Sequence, residues 1–260
     1  MRPIDRYAAA VSQTLRAAVA LGGELTRADW GRLTECPLWT VGDVYAHLVG
    51  GERWMAAGHP PVPPGEFQRW VDADVAARRH EPPGAVLAEL ADVCDEREAQ
   101  LAMLPQPEMP ASYPWGRPTT FEGLLRTRVL DCWVHEQDVR RAVFRPGDLG
   151  SPGARVARDV FLDSLPRIVA KRIGAQAGTT VRLTVVGEVG LDVAVAVDES
   201  GRAATLPLSE AEYPDAHATM SWEAYARLSA GRGDRADHHV WLAGDRTLGE
   251  RLLAGLAVTP

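Results

Sequence analysis

The chain has 260 residues, 46% of them hydrophobic and 24% charged, which is enough for one large domain or two smaller ones. Its net charge of −7, without any run of basic residues, excludes the pattern typical of nucleic-acid-binding proteins and argues against an anionic membrane surface as a partner. Three widely spaced cysteines, and the charged residues Asp5 and Arg6 near the N-terminus, favour a cytoplasmic protein over a secreted one.

The first half of the chain is predicted to be helical. Apolar residues at helical spacing, separated by turn signals, predict four helices over residues 5–25, 41–57, 83–104 and 119–143. The second helix is expected to begin at Thr40, with Asp43 as its capping-box partner, and to end at the proline-rich segment 59–64. The fourth is expected to begin at Thr119, because Glu122 stands at the matching position. Four helices of this length predict a helix bundle.

The second half of the chain has a different pattern. The turn-forming segment 145–153 marks a boundary, so we expect one domain over 1–148 and another over 154–260. Alternating β-branched residues and helical spacing beyond the boundary indicate a mixed α+β domain. Its predicted elements are helices over 154–173, 222–230 and 248–256, and strands over 179–185, 191–197, 218–221 and 239–242.

A polar stripe on the fourth predicted helix is the main candidate for chemistry. Arg128, Asp131, His135 and Asp138 are three or four residues apart and therefore project from one face. Asp131 and His135, at i and i+4, are able to bind one metal ion, and His47 in the apolar second helix is the best candidate for a third ligand. Spacing alone leaves two alternatives open: a surface ion pair on the fourth helix and a hydrogen-bonded core histidine at position 47.

Two groups of residues resemble the mycothiol-dependent maleylpyruvate isomerase family. The first comprises the segment 30–48, which contains Cys36-Pro37-Leu38-Trp39-Thr40 and His47, together with the polar stripe at 128–138. The second is the C-terminal segment from Gly231-Arg232 to Leu256, which resembles that family's second domain, itself similar to sterol carrier proteins. The resemblance implies an N-terminal DinB-like four-helix bundle followed by a small α+β sterol-carrier-like domain.

The resemblance also implies a divalent metal ion, with zinc the expected one, held by His47, Asp131 and His135. Members of the family generally have Glu where this chain has Asp131, so the carboxylate is one methylene shorter here. Either carboxylate is able to bind zinc. The open coordination positions are expected to accept mycothiol, a low-molecular-weight thiol, because zinc favours the thiolate, which is the nucleophile.

Two arginines are candidates for catalytic roles. Arg128, one turn before Asp131, is expected either to orient that carboxylate or to bind a carboxylate of the substrate, with a simple salt bridge to Asp131 or Glu122 as the structural alternative. The resemblance implies that an arginine of the second domain binds the substrate or the thiol cofactor. Arg232 is the first choice for it, ahead of Arg235 and Arg246.

Structural roles are expected for Asp138, Cys36 and most of the tryptophans. Asp138 is expected to brace the bundle rather than to contact the site, and Cys36 is expected to be a small buried residue rather than a nucleophile. Most tryptophans are expected to pack in the core or in loops, although Trp54 and Trp115 are candidates to line a pocket.

The leading functional hypothesis is a metal-dependent enzyme that activates mycothiol for addition to an electrophilic small molecule. It is either a thiol S-transferase or a maleylpyruvate-type cis–trans isomerase, and Asp131 slightly favours the transferase because it departs from the pattern of the isomerase. The alternative is a non-catalytic module that binds a small molecule or lipid and keeps a structural metal site. A monomer or a homodimer is expected, without nucleic-acid or membrane partners.

Overall fold

The computed structural model describes residues 2–58, 62–63, 65–103 and 106–259, and the chain divides into two units, Met1–Gly147 and Asp148–Pro260. None of the helices in these described ranges combines the length and the apolarity that a membrane span requires.

Helices dominate the first unit. They are α1 (Pro3–Gly23), α2 (Arg27–Trp30), α3 (Val41–Ala57), α4 (Phe67–Arg78), α5 (Pro83–Leu101) and α6 (Phe121–Ala142). The four long helices predicted from the sequence, α1, α3, α5 and α6, pack in a ring in which α1 contacts α5 and α6, and α3 contacts the same two helices. Their apolar faces form the core of this unit. The predicted end of the third of these helices, Leu104, lies outside the described residues.

The start of α3 confirms the predicted capping box. The Thr40 hydroxyl accepts a hydrogen bond from the Asp43 backbone N–H (3.2 Å), and the Asp43 carboxylate accepts one from the Thr40 backbone N–H (3.0 Å). The Tyr45 hydroxyl, one turn further on, donates to the Ala18 carbonyl of α1 (2.7 Å). Gly58 follows the helix in the left-handed conformation at φ +62°. Most of the segment 59–64 that was predicted to end this helix lies outside the described residues.

The start of α6 differs from the prediction by one residue. The capping residue is Thr120, whose hydroxyl accepts from the Gly123 backbone N–H (3.1 Å), rather than Thr119. The reason is a hairpin that the sequence pattern did not reveal, in which β1 (Pro110–Ser112) pairs antiparallel with β2 (Pro118–Thr120). Thr119 is paired with Ala111 in that ladder and is therefore held in extended conformation.

The second unit contains one five-stranded sheet. Its strands are β3 (Thr180–Val186), β4 (Leu191–Val197), β5 (Ala203–Leu206), β6 (Ala216–Ser221) and β7 (Val240–Gly244), in the order β5-β4-β3-β6-β7. The pair β3–β6 is parallel and the other neighbours are antiparallel. Three helices pack against the sheet: α7 (Pro152–Arg167), α8 (Trp222–Ser229) and α9 (Arg246–Ala254). Only β5 was not predicted, because it is short and has one β-branched residue.

We expect the Asp43 carboxylate to stabilise the first unit in a pH-dependent way. Burial alone would raise the pKa of Asp43, but the Arg79 guanidinium (2.8 Å) and the Thr40 donors outweigh burial and hold that pKa below its ordinary value. The stabilisation is therefore complete above about pH 4–5 and is lost as the pH falls through the lowered pKa.

In urea unfolding, Asp43→Asn should cost about 1 kcal/mol at pH 7, because it removes the negative charge beside Arg79 and at the helix N-terminus. The difference between the two proteins should shrink steadily below pH 4. A difference that stays constant from pH 7 to pH 3 would contradict this account.

Candidate functional site

Three sequence-predicted residues converge where α3 packs against α6. His47 Nε2 lies 3.3 Å from Asp131 Oδ2, and His135 Nε2 lies 3.7 Å from Asp131 Oδ1. The two imidazole ring centres are 4.7 Å apart, and one ligand atom from each of the three residues lies within 4.8 Å of the others. Asp131 and His135 are close together because residues i and i+4 share one face of α6. His47 joins them because α3 packs against α6.

Asp138 contacts the site instead of only bracing the bundle. Its carboxylate is fully buried and lies 3.1 Å from His135 Nδ1. Nδ1 of His135 therefore faces a carboxylate that is able to accept its proton, while Nε2 of the same ring faces Asp131. This geometry is common behind metal-binding histidines.

Asp131 is held by a chain of buried charges. The Arg128 guanidinium contacts Asp131 Oδ2 through one nitrogen and donates to Glu52 Oε1 through another (2.7 Å). The second oxygen of Glu52 accepts from Arg97 Nε (3.1 Å), and Glu52 itself is fully buried. Of the salt-bridge partners expected for Arg128, Asp131 is present, but Glu52 takes the place expected for Glu122.

Glu52 is the important residue that the sequence analysis missed. The available signal was Arg97, which shares one face of α5 with the apolar residues Val86, Leu90 and Val93. A buried arginine requires a buried carboxylate partner. Gly51 also contributes to this arrangement, because a Cβ at that position would lie 2.9 Å from the Arg128 guanidinium.

The electrostatics leave His47 and Asp131 in protonation states that suit metal binding. Burial lowers the pKa of His47, and the opposing effect of Asp131 is smaller, so the neutral imidazole is favoured. Burial alone would raise the pKa of Asp131, but Arg128 and the two imidazoles hold it well below its ordinary value. Neutral imidazole and ionised carboxylate are the forms that bind a metal ion.

Trp39 covers the two imidazoles from one side. Its ring centre lies 5.0 Å from that of His47 and 5.6 Å from that of His135. Trp39 immediately precedes the residue that caps α3, so the local turn that starts the helix also positions this ring. The side chain shields one face of the site from water.

The cysteines near the site have different environments. Burial raises the pKa of Cys132 well above its ordinary value and that of Cys94 to about 12, so neither is a thiolate nucleophile at neutral pH. Cys36 is half-buried, and its thiol lies within 4.8 Å of ligand atoms of His135 and Asp138.

A cleft that is open to solvent lies beside Asp131 within the first unit. His47, Arg128 and Asp131 form its polar end. The rest of the lining is largely apolar and includes the rings of Trp54, Phe67, Trp70 and Trp115. Trp54 and Trp115 therefore line a pocket, as the sequence analysis considered.

Arg232 lies in the second unit, directly after α8. It is buried, and its guanidinium donates to the Ala230 carbonyl (2.9 Å). The two other candidate arginines have different environments. Arg235 donates to the His238 carbonyl (2.9 Å), whereas Arg246 is exposed. The expected role of Arg232 in binding substrate or thiol stays a prediction.

We expect the buried charge chain to be sensitive to the loss of Glu52. Glu52→Gln leaves Arg97 and Arg128 without their shared carboxylate in the core, so it should lower the free energy of unfolding by about 3 kcal/mol in urea denaturation. The matched control is Glu96→Gln, which removes the same charge from an exposed pair with Arg53 (3.2 Å) and should change the stability by less than about 0.5 kcal/mol. Equal effects of the two substitutions would show that the charge chain does not support the fold.

Comparisons with known proteins identify a family and a similar fold. The sequence profile of a family described as the mycothiol maleylpyruvate isomerase N-terminal domain matches residues 11–140. Two solved structures are similar in fold, the mycothiol-dependent maleylpyruvate isomerase and a histidine-to-alanine mutant of it. Both have a TM-score of 0.57 and 15% sequence identity, with 93% of each chain covered. At this identity the similarity shows the fold alone. No curated protein sequence matches the chain.

Proposed function

The chain belongs to the family of the mycothiol maleylpyruvate isomerase N-terminal domain, and on that premise we propose that it is a metal-dependent enzyme. It activates mycothiol as a thiolate for addition to an electrophilic small molecule. The observation that carries the proposal is the convergence of His47, Asp131 and His135 at the end of an open cleft. Membership of the family supports mycothiol as the thiol.

The donor set fits zinc. Two imidazoles and one carboxylate are three protein ligands, the number found in catalytic zinc sites that keep a position open for water or substrate. The site is buried on the sides of Asp138 and Trp39 and borders the cleft at Asp131. Zinc held there would lower the pKa of a coordinated thiol and thereby supply a nucleophile at neutral pH.

The side chains of the protein have distinct tasks in this proposal. Asp138 holds His135 in the tautomer that directs Nε2 toward Asp131, and Trp39 excludes water from both imidazoles. Arg128 orients Asp131 and is a positioning residue rather than a binder of substrate carboxylates. Its positive charge is already shared by the carboxylates of Asp131 and Glu52.

The reaction begins with attack of the thiolate sulfur on an electrophilic carbon. In addition to a conjugated double bond, a carbon–sulfur bond forms while the π electrons move to the neighbouring carbon, and the proton released by the thiol returns there. The thiol stays attached in a transferase. In a cis–trans isomerase, rotation about the new single bond is followed by elimination of the thiol. Asp131 in place of Glu keeps the transferase as our first choice.

We also propose a specific fold type for each of the two units. The ring of α1, α5, α3 and α6 supports a DinB-like four-helix bundle over 1–148. The helix-covered sheet supports a sterol-carrier-like domain over 154–260, in which Arg232 binds the substrate or the thiol. The three widely spaced cysteines support a cytoplasmic setting, and a monomer or a homodimer stays the expected state. The competing candidate is a non-catalytic module that binds an apolar ligand, and the apolar lining of the cleft favours it as the second choice.

Elemental analysis combined with mycothiol titration tests the proposal. The purified full chain should contain about one equivalent of zinc or a similar ion and bind mycothiol. His135→Ala should lose both properties while keeping its helical circular-dichroism spectrum, because the substitution removes one ligand. The matched control is His80→Ala, which removes an exposed histidine after α4 and should retain both.

Two results would contradict the proposal in different ways. Equal metal content in wild type and His135→Ala would exclude the ligand set. A bound ion without any mycothiol binding would favour the non-catalytic module with a structural metal.

A further inference from the structure

His135 is shared by two different groups of metal-binding side chains. Its Nε2 atom faces Asp131, at 3.7 Å from Oδ1, whereas its Nδ1 atom lies 3.1 Å from Asp138 Oδ2. The thiol of Cys36 and ligand atoms of His135 and Asp138 all lie within 4.8 Å of one another. A second group of three donors, consisting of a thiol, an imidazole and a carboxylate, therefore lies beside the ligand set of the proposed zinc site.

The turn before α3 fixes the position of the Cys36 thiol. The Cys36 backbone N–H donates to the Thr34 hydroxyl (3.2 Å), and the Cys36 carbonyl accepts from the Trp39 backbone N–H (3.1 Å). Pro37 restricts the backbone of Cys36 further, because its ring limits the conformations of the residue before it. The sulfur is therefore held beside α6 by a hydrogen-bonded turn.

The distances in this second group fit a tetrahedral metal ion. Bonds of about 2.0–2.1 Å to nitrogen and oxygen place two donors roughly 3.3 Å apart, close to the 3.1 Å between His135 Nδ1 and Asp138 Oδ2. A thiolate bonded at about 2.3 Å lies roughly 3.6 Å from the other donors. From the 4.8 Å limit, the Cys36 sulfur moves by about 1 Å to reach that distance. Rotation about the Cα–Cβ bond of this half-buried side chain is able to supply the movement.

The charges of the group also fit a metal ion. Asp138 is fully buried and Cys36 is half-buried, so a cation between them lies largely out of water. An ionised thiolate and a carboxylate offset the two positive charges of a divalent ion, which would be costly to bury alone. Thiolate is a soft ligand that selects zinc and similar ions over magnesium and calcium. The donor types therefore favour a thiophilic cation.

We propose that Cys36, Asp138 and the Nδ1 atom of His135 form a second metal site, for Zn²⁺ or another thiophilic divalent cation. Binding releases the thiol proton of Cys36 and the proton between Nδ1 and Asp138, whereas Nε2 binds an ion without such a loss. The first equivalent of metal therefore binds to His47, Asp131 and His135, and the second binds here. With both ions bound, the His135 imidazole bridges them. This inference goes beyond the proposed function, because the second site needs neither mycothiol nor substrate.

Cobalt titration of the full chain tests for the sulfur ligand. The protein is loaded with one equivalent of zinc, and Co²⁺ is then added without any free thiol. A further equivalent should bind and produce a thiolate-to-cobalt charge-transfer band in the near ultraviolet, since the first ligand set contains no sulfur.

A variant and a matched control identify the sulfur. Cys36→Ala should abolish the band and weaken the second equivalent at least about tenfold, the loss typical even of groups that only support a ligand. Cys94→Ala removes a buried thiol of α5 that is outside the group, and it should retain the band. Circular dichroism of each variant checks that the fold is kept.

His47→Ala separates the two sites. It removes a ligand of the first set alone, so Co²⁺ added to the metal-free variant should still produce the charge-transfer band. This measurement also decides the matter if Cys36→Ala fails to fold. The inference is overturned if the wild type binds Co²⁺ without the band, if it binds no second equivalent, or if the band persists in Cys36→Ala. A band in a protein that does not bind mycothiol would leave the inference standing while the proposed function fails.

Discussion

The sharing of the Arg128 guanidinium between Glu52 and Asp131 is the interaction on which the site depends. Without the arginine, the partial burial of Asp131 would favour the protonated carboxyl group, because burial disfavours the charged form. The arginine keeps Asp131 ionised and fixes one of its oxygens, while the other faces His135. Arg97 forms a similar ion pair deeper in the core, where its guanidinium donates to the second oxygen of Glu52. Gly51 leaves the space in which the guanidinium lies.

This arrangement accommodates an aspartate where the resemblance noted in the sequence implies a longer glutamate. Asp131 lies 3.3 Å from His47 and 3.7 Å from His135, so the loss of one methylene does not separate the three donors. The cleft beside this site is lined mostly by apolar atoms, including the rings of Trp54, Phe67, Trp70 and Trp115.

Much of this site was predictable from local sequence patterns. The capping box of Thr40 and Asp43, the i,i+4 pair on α6 and the choice of His47 all follow from helical periodicity, which is a short-range property. Glu52, the position of Trp39 over the imidazoles, and the walls formed by Phe67 and Trp70 were not predicted, because their partners are far away in the sequence and depend on how helices pack. The helix α4 was missed because Val71 and Val75 are its only buried residues, which leaves a weak amphipathic pattern.

The most direct test of the account is X-ray absorption at the zinc edge of the zinc-loaded full chain, before and after one equivalent of mycothiol is added. The account predicts nitrogen and oxygen neighbours at about 2.0–2.1 Å with outer scattering from two imidazoles, and a new sulfur neighbour at about 2.3 Å once the thiol is present. A spectrum without imidazole scattering, or one that the thiol leaves unchanged, would contradict the claim that His47, Asp131 and His135 hold a metal ion with a position open for the thiol.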